Sequence, residues 1–266
     1  MPTAITAAAI RADLTFAQLP RTIMWHAQAT STMDLARAAL ATAHDGELPL
    51  LVGADEQTAG RGRRGRVWAA PPSSALLMSL ALRPHWLAPA EAGVLVWLMG
   101  VALCEAISST TGLEPRLKWP NDVLIGGHKV AGVLLEASST SSQLEHIIIG
   151  CGINVSASPP ADLVRYPATH LDAHTAKPTE RLTLLRAVLL RLDTWYTALA
   201  TDFAATRPAL FAAWHALLDT IGTPIHVETA QGTLHGIAEA VEPDGTLRLR
   251  AADGQLHLIT SGDVFG

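Results

Sequence analysis

From Ala92 to Cys104 the chain runs 13 residues without a charge, and with Pro89 opening it the pattern predicts a long buried helix reaching about Thr111. A helix of this kind must be covered on every side, so the remaining sequence has to supply layers around it. The uncharged run is well short of the roughly 20 residues that span a bilayer. With 49% hydrophobic and 16% charged residues in 266, the chain can build one large domain, or one medium domain with a small appendage, and is not disordered.

The covering elements are legible as α/β material. Residues 1–22 have space for one short helix before a strand at 23–26. Ser31 followed by Asp34 reads as a capping box opening a helix to about Ala43. Strands are expected at 50–54 and 75–82, a hairpin at 123–125 and 129–136 around Gly126-Gly127, and a further strand at 146–153 ending at Asn154. Residues 156–180, rich in Pro, Ala and Ser, read as irregular, and 181–218 as two helices broken near Pro208. From Gly222 short β-like runs alternate with the turn pairs Asp244-Gly245 and Asp253-Gly254, which predicts a small barrel over 222–266 packed against a larger unit over 1–221.

The net charge of −5 argues against a general polyanion binder, so any nucleotide or nucleic-acid contact must come from a local basic cluster. Cys104 and Cys151 sit in apolar stretches and read as buried thiols of a reducing compartment, with a disulfide left open. No basic residue precedes the mildly apolar stretch 4–10, unlike a secretory signal. The expectation is a cytoplasmic protein with no membrane partner. The short N-terminal segment leaves no space for a three-helix DNA-binding unit, so no DNA partner is expected either.

The stretch Gly60-Arg61-Gly62-Arg63-Arg64-Gly65-Arg66 formally matches G-x-G-x-x-G, but its context does not suit a dinucleotide fold. Val67-Trp68-Ala69-Ala70-Pro71-Pro72 is loop-like, and no acidic residue follows at the distance that would hold a ribose. The G-K-[ST] ending of a P-loop is missing as well. What remains is a loop whose glycines admit an anion to backbone N–H groups and whose arginines present fixed positive forks. Such a loop is expected to stay mobile until a polyanion neutralises it. A solvated basic loop or an RNA-binding patch has the same composition. Trp68 favours a nucleotide, since its face can stack on adenine, although a core tryptophan is the commoner use.

Lys118-Trp119-Pro120-Asn121-Asp122 reads either as a strand ending in a turn or as a source of oxygen ligands for Mg²⁺ and a nucleotide beside Lys118. Lys129 is either an exposed hairpin lysine or an ammonium placed where a carboxylate meets a phosphate. Gly150-Cys151-Gly152-Ile153-Asn154 marks a strand end, or a place where a ligand approaches the backbone.

Taken in order, Ser31-Thr32-Met33, the segment from Glu56-Gln57 through Val67-Trp68, Lys118-Trp119-Pro120-Asn121-Asp122, Lys129-Val130-Ala131-Gly132 on to Glu136, and Gly150-Cys151-Gly152-Ile153-Asn154 closely resemble the biotin protein ligase family. The resemblance runs from about residue 22 to the C-terminus. It implies an α/β (α+β) fold, with a mixed-sheet catalytic domain of the biotin/lipoate ligase type and a small C-terminal SH3-like β-barrel. It also implies biotin and ATP as substrates, Mg²⁺, and the biotin carboxyl carrier protein of acetyl-CoA carboxylase as acceptor. The oligomeric state stays open, a homodimer included. The motif match assigns Ser31, Thr32, Met33, Gln57, Arg61, Gly62, Arg63, Lys129 and Gly132 to biotin and its activated carboxyl. Arg63, Arg64, Arg66, Trp68, Lys118, Asn121 and Asn154 go to the nucleotide, and Asp122 to Mg²⁺. Met33 stands where many members carry Asn. A winged helix, found in members that also repress transcription, is not seen, so repressor activity is not expected.

The implied chemistry brings a carboxylate against a phosphate, two anions that repel by roughly 4 kcal/mol at about 4 Å and an effective dielectric of about 20. Arg61, Arg63 and Lys129 are the expected catalytic cations, and Asp122 is a candidate base for the later amine attack. The nearest rival is a lipoate ligase or octanoyl transferase. An RNA-binding module using the arginine loop is the reading from another class, and it conflicts with the charge of −5.

Overall fold

A computed structural model describes residues 4–140 and 142–266. A short helix α1 (Ala7–Arg11) leads into β1 (Thr22–His26), and α2 (Thr32–Leu40) follows. Next come β2 (Leu50–Ala54), β3 (Ala75–Leu82), the buried helix α3 (Val94–Thr111), β4 (Arg116–Lys118), β5 (Asp122–Ile125), β6 (His128–Ser139) and β7 (Leu144–Asn154). These strands form one seven-stranded sheet in the order β1-β2-β3-β7-β6-β5-β4. Only the β1–β2 pair is parallel, so the sheet is mixed.

The two-residue alternation of strands decides which side chains reach which layer. On β3 and β7, Leu76, Met78, Leu80, Ile147, Ile149, Cys151 and Ile153 face the main core, where α3 is covered by α4 (Arg181–Thr201) and α5 (Phe203–Leu217). The opposite face receives Ala81 and Ile148, which pack with Met33, Ala36 and Leu40 of α2. Gly150, Gly152 and Asn154 follow Ile148 on that same face, and this is where the site forms.

Two local expectations need correction, the helix break and the capping box, whereas the helix expected from Pro89 to about Thr111 is present. With a preceding 3-10 turn, Pro89–Thr111 spans 23 residues, long and apolar enough to cross a bilayer. Its burial under α4, α5 and the sheet marks it as a core helix. The second helix pair breaks at Asp202 and not at Pro208, because Asp202 leaves helical geometry and accepts a 3.0 Å hydrogen bond from the Ala205 N–H. Pro208 lies inside α5. The expected capping box at Ser31 does not form, since Ser31 makes no side-chain cap bond. At the other end of α2, Arg83 donates to the carbonyls of Leu40 (2.8 Å) and Ala43 (3.0 Å).

The chain ends in β8 (Pro224–Thr229), β9 (Gly232–Val241), β10 (Leu247–Arg250), β11 (Leu256–Ile259) and β12 (Asp263–Phe265), an antiparallel sheet ordered β11-β10-β9-β8-β12. Gly245 (φ 90°) and Gly254 (φ 85°) supply the left-handed turn positions after Asp244 and Asp253. Its apolar side chains Val227, Leu247, Leu249 and Val264 belong to the same core as α3. Trp119, almost fully buried, ties the two sheets together: its indole N–H donates to Gly245 O at 2.9 Å, and its backbone N–H donates to Thr220 Oγ1 at 2.9 Å.

Candidate active site

A cavity of about 540 Å³ opens on the α2 face of the large sheet. Its floor includes two pairs of cross-strand neighbours, Gly150 with Leu134 and Gly152 with Gly132. The glycines leave that floor bare, and two neighbours use the space. A Cβ on Gly150 would lie 2.8 Å from the Met33 sulfur. A Cβ on Gly152 would lie 2.3 Å from the Trp68 indole, and one on Gly132 would be 3.2 Å from it. Of the two readings open for residues 150–154, a strand end or a close approach to the backbone, the structure shows close approach, by the Trp68 and Met33 side chains.

At the inner end the polar groups are neutral. Thr32 donates through its N–H (2.7 Å) and hydroxyl (3.0 Å) to Gln57 Oε1, and its hydroxyl lies 2.8 Å from that of Ser79. This fixes the Gln57 amide with its oxygen turned inward. The Ser31 hydroxyl lines the cavity fully buried and without a partner. An orphaned buried hydroxyl costs about 1–3 kcal/mol, which a ligand that hydrogen-bonds it would recover. Ser79, which sequence reasoning missed, carries no motif signal; it reads as one more residue of an apolar strand.

At the mouth the groups are charged. Lys129 Nζ lies 2.7 Å from Asp122 Oδ1 and 5.6 Å from the centroid of Trp68. Lys118 Nζ donates to Val264 O at 2.8 Å and sits 3.3 Å from the ring centroid of Tyr166. Burial pulls Lys118 down to about 8, with Lys129 adding to the effect and Asp122 opposing it. Six cations, Arg61, Arg63, Arg66, Lys118, Lys129 and Arg165, line the cavity against Asp122, Asp162 and Asp263. A chain of charge −5 thus concentrates positive charge in one place.

The arginine loop is a closed miniature hairpin. Trp68 N–H donates to Gly60 O (2.9 Å) and Gly62 N–H to Arg66 O (2.7 Å), while Arg64 takes a left-handed φ of 54°. Three of its arginines converge on Asp263, at 3.8 Å for Arg63, 3.5 Å for Arg64 and 2.8 Å for Arg66. Arg61 is answered by Asp34 (2.9 Å) and Glu136 (3.4 Å). From sequence this loop is expected to stay mobile until a polyanion arrives; in the structure internal carboxylates already pair with its arginines, and nothing near Gly60–Arg66 in the sequence indicates them.

Asn121 is committed internally, accepting from Arg63 Nη1 (2.9 Å) and donating to Val133 O (2.5 Å), so it positions Arg63. Asn154 donates to Thr169 O at 2.9 Å and leaves its oxygen buried without a partner beside the cavity. Sequence reasoning also missed the far wall: Leu163, Arg165 and Tyr166 from the irregular segment, and Asp263, Val264 and Phe265 from β12, all line the cavity. Cys151 has its thiol pushed up to about 12 by burial, so it is no nucleophile. No cluster of three or more His, Cys, Asp or Glu able to hold a metal occurs among the described residues. Asp122 is the carboxylate at the mouth beside Lys129, and one carboxylate with substrate phosphates and water suits Mg²⁺, which seldom takes an all-protein cage.

Residues 26–154 match the Biotin/lipoate A/B protein ligase family, and residues 220–265 match the Biotin protein ligase C terminal domain. The biotin--[acetyl-CoA-carboxylase] ligase of Paracoccus denitrificans is 38% identical over 221 residues, covering 80% of this chain and 88% of that protein. The bifunctional ligase/repressor BirA of Bacillus subtilis is 33% identical over 80% of this chain, which spans 65% of that relative's length. Among solved structures, the biotin protein ligase from Aquifex aeolicus in complex with biotin and ATP superposes with a TM-score of 0.73 at 26% identity, covering 92% of this chain and 98% of that one. Motif order, the mixed sheet with its cavity, and these relatives agree: the chain belongs to the biotin protein ligase family.

Proposed function

We propose that this chain is a biotin protein ligase, which joins biotin to ATP as biotinyl-5'-AMP and passes the biotinyl group to one lysine of the biotin carboxyl carrier protein of acetyl-CoA carboxylase. The observation that carries the reading is a single cavity with a neutral hydrogen-bonding inner end and a cationic mouth, separated by the Trp68-covered glycine patch. A neutral ureido ring meets Ser31, Thr32 and Gln57, and the carboxylate tail reaches Lys129. The names of the Paracoccus and Aquifex relatives support the same substrates.

In the first step a carboxylate oxygen attacks the α-phosphorus and pyrophosphate leaves. Lys129 and Arg63 offset the repulsion between the two anions, and no side-chain nucleophile is needed. Trp68 offers an indole face to adenine, and the free oxygen of Asn154 accepts from its amino group. Asp122 is the residue that would hold Mg²⁺, and the ion when bound would supply neutralisation of phosphate charge. In the second step the carrier amine forms a C–N bond with the acyl carbon, the C–O bond to AMP breaks, and Asp122 takes the amine proton. The arginine loop and residues 159–166 shield the mixed anhydride from water. Two unpaired buried cysteines support a cytoplasmic setting.

Incubation with ATP, Mg²⁺ and biotin, followed by mass analysis, tests the reading: biotinyl adenylate is expected, with lipoate as control. Lipoyl adenylate in its place, or no adenylate at all, overturns it. The polar inner end favours a ureido ring over the apolar dithiolane of lipoate.

A further inference from the structure

We propose that Asp263 is a positioning residue for adenylation, the anion that gathers the loop arginines into one wall of the cavity before substrate arrives. This inference rests on the adenylation reading above. Three consecutive residues at the end of the chain each hold a cation of the cavity. Gly262 O accepts from Arg63 Nη1 at 3.2 Å, the Asp263 carboxylate meets Arg63, Arg64 and Arg66, and Val264 O accepts from Lys118 at 2.8 Å.

The strand that carries them is fixed. Asp263, Val264 and Phe265 pair in register with Glu228, Val227 and His226 of β8. Gly262 packs so closely that a Cβ there would lie 2.4 Å from Val227. Glu228 O adds a 2.9 Å bond from Arg64 Nη1. Asp263 is itself buried, with 9% of its side chain exposed, while its partners Arg64 and Arg66 are 37% and 40% exposed, so salt reaches these ion pairs from the arginine side and weakens them as it rises. At this wall the guanidinium groups of Arg63 and Arg66 and the ammonium of Lys118 repel one another, and Arg64, outside the cavity lining, shares the same carboxylate. A single carboxylate holds them together and cancels only part of their charge, which leaves the wall attractive to a phosphate and already arranged for it. The C-terminal sheet thereby acts on a step whose reacting atoms it need not touch.

The test uses the full chain carrying Asp263→Asn or Asp263→Glu. Trypsin cuts after arginine, so nicking at Arg63, Arg64 and Arg66 under native conditions reports whether the loop is held, with no reference to catalysis. Asp263→Asn is expected to raise nicking and the KM for ATP in pyrophosphate exchange by about tenfold each, with kcat and the KM for biotin within about twofold. Asp263→Glu, which keeps the charge, is expected to restore most of both. Unchanged nicking overturns the inference, and so does faster nicking with an unchanged KM for ATP. A joint rise in the biotin and ATP constants without rescue by Glu marks a merely structural role and also overturns it. Should Asp263→Asn fail to fold, the wild-type chain is compared between about 0.05 M and about 1 M KCl. Nicking that rises while the melting temperature holds supports the inference, and constant nicking defeats it. If wild type shows no biotin-dependent exchange, the adenylation reading fails by itself, and nicking still decides whether Asp263 holds the loop.

Discussion

The two ends of the cavity solve recognition by different physics. At the inner end Thr32, Gln57 and Ser79 are locked by neutral hydrogen bonds of 2.7–3.0 Å between elements of the main sheet and α2. At the mouth Arg63, Arg66, Lys118 and Lys129 are held by carboxylates and carbonyls, in part from a second sheet. Neutral partners in fixed geometry suit an uncharged ring, for which shape and bond direction discriminate. Exchangeable ion pairs suit a polyanion that has to enter, react and leave. Substitutions at the mouth other than Lys129, which the biotin carboxylate reaches, should therefore change rate and ATP affinity while leaving biotin affinity nearly intact.

The largest expected effect tests that separation at its sharpest point. Lys129→Ala should slow adenylation by about 10² to 10³, the scale of losing one charge-stabilising group. Pyrophosphate exchange within threefold of wild type would remove Lys129 from the chemistry. Next, Arg63→Gly should release biotinyl adenylate about 10² times faster and label bystander proteins, read as biotin on added albumin. Unchanged albumin labelling would mean that the loop does not retain the intermediate. Gly152→Ala sharpens the boundary between the two ends: the added methyl meets the Trp68 indole at 2.3 Å and must displace it. The KM for ATP should rise about tenfold with that for biotin within about threefold, in line with overpacking costs of about 1–3 kcal/mol. Equal rises in both constants would erase the division.

The smallest effect is a pH dependence. Burial holds Lys118 at about 8, below its ordinary 10.5, so its cation is present below that pH and is lost as pH rises through it. If Lys118 serves the phosphates, kcat/KM for ATP falls several-fold above about pH 8, and Lys118→Arg abolishes that limb. The sign for stability is opposite. A lowered ammonium pKa makes burial of the charge costly below about 8, and that cost is relieved between about 8 and 10.5, where the unfolded chain still binds the proton. Thermal melts of wild type and Lys118→Met across that range should diverge in this direction.

Much of this molecule was legible in the chain itself. The strands at 50–54 and 75–82 emerged with the bounds expected, because uniformly apolar runs bordered by turn residues leave little choice. The helix break near 208 was misplaced because a capping aspartate at 202 outweighed a proline that α5 accommodates. The irregular segment offered no period to read, yet it delivers Arg165 and Tyr166 to the cavity. The arginine loop reads as an anion site, with a solvated basic loop as the alternative, and its pairing with Asp263 is not foreseen, since Arg66 and Asp263 lie 197 residues apart.

The sequence by itself determined the elements, the bare glycine rows, and the concentration of arginine beside a tryptophan, because strand alternation and turn chemistry act over a few residues. Only the tertiary structure decided which anion answers each cation and which side chain fills the glycine patch. Ion pairs and close packing depend on proximity in space, and the folded sheets create that proximity between segments whose local preferences do not encode it.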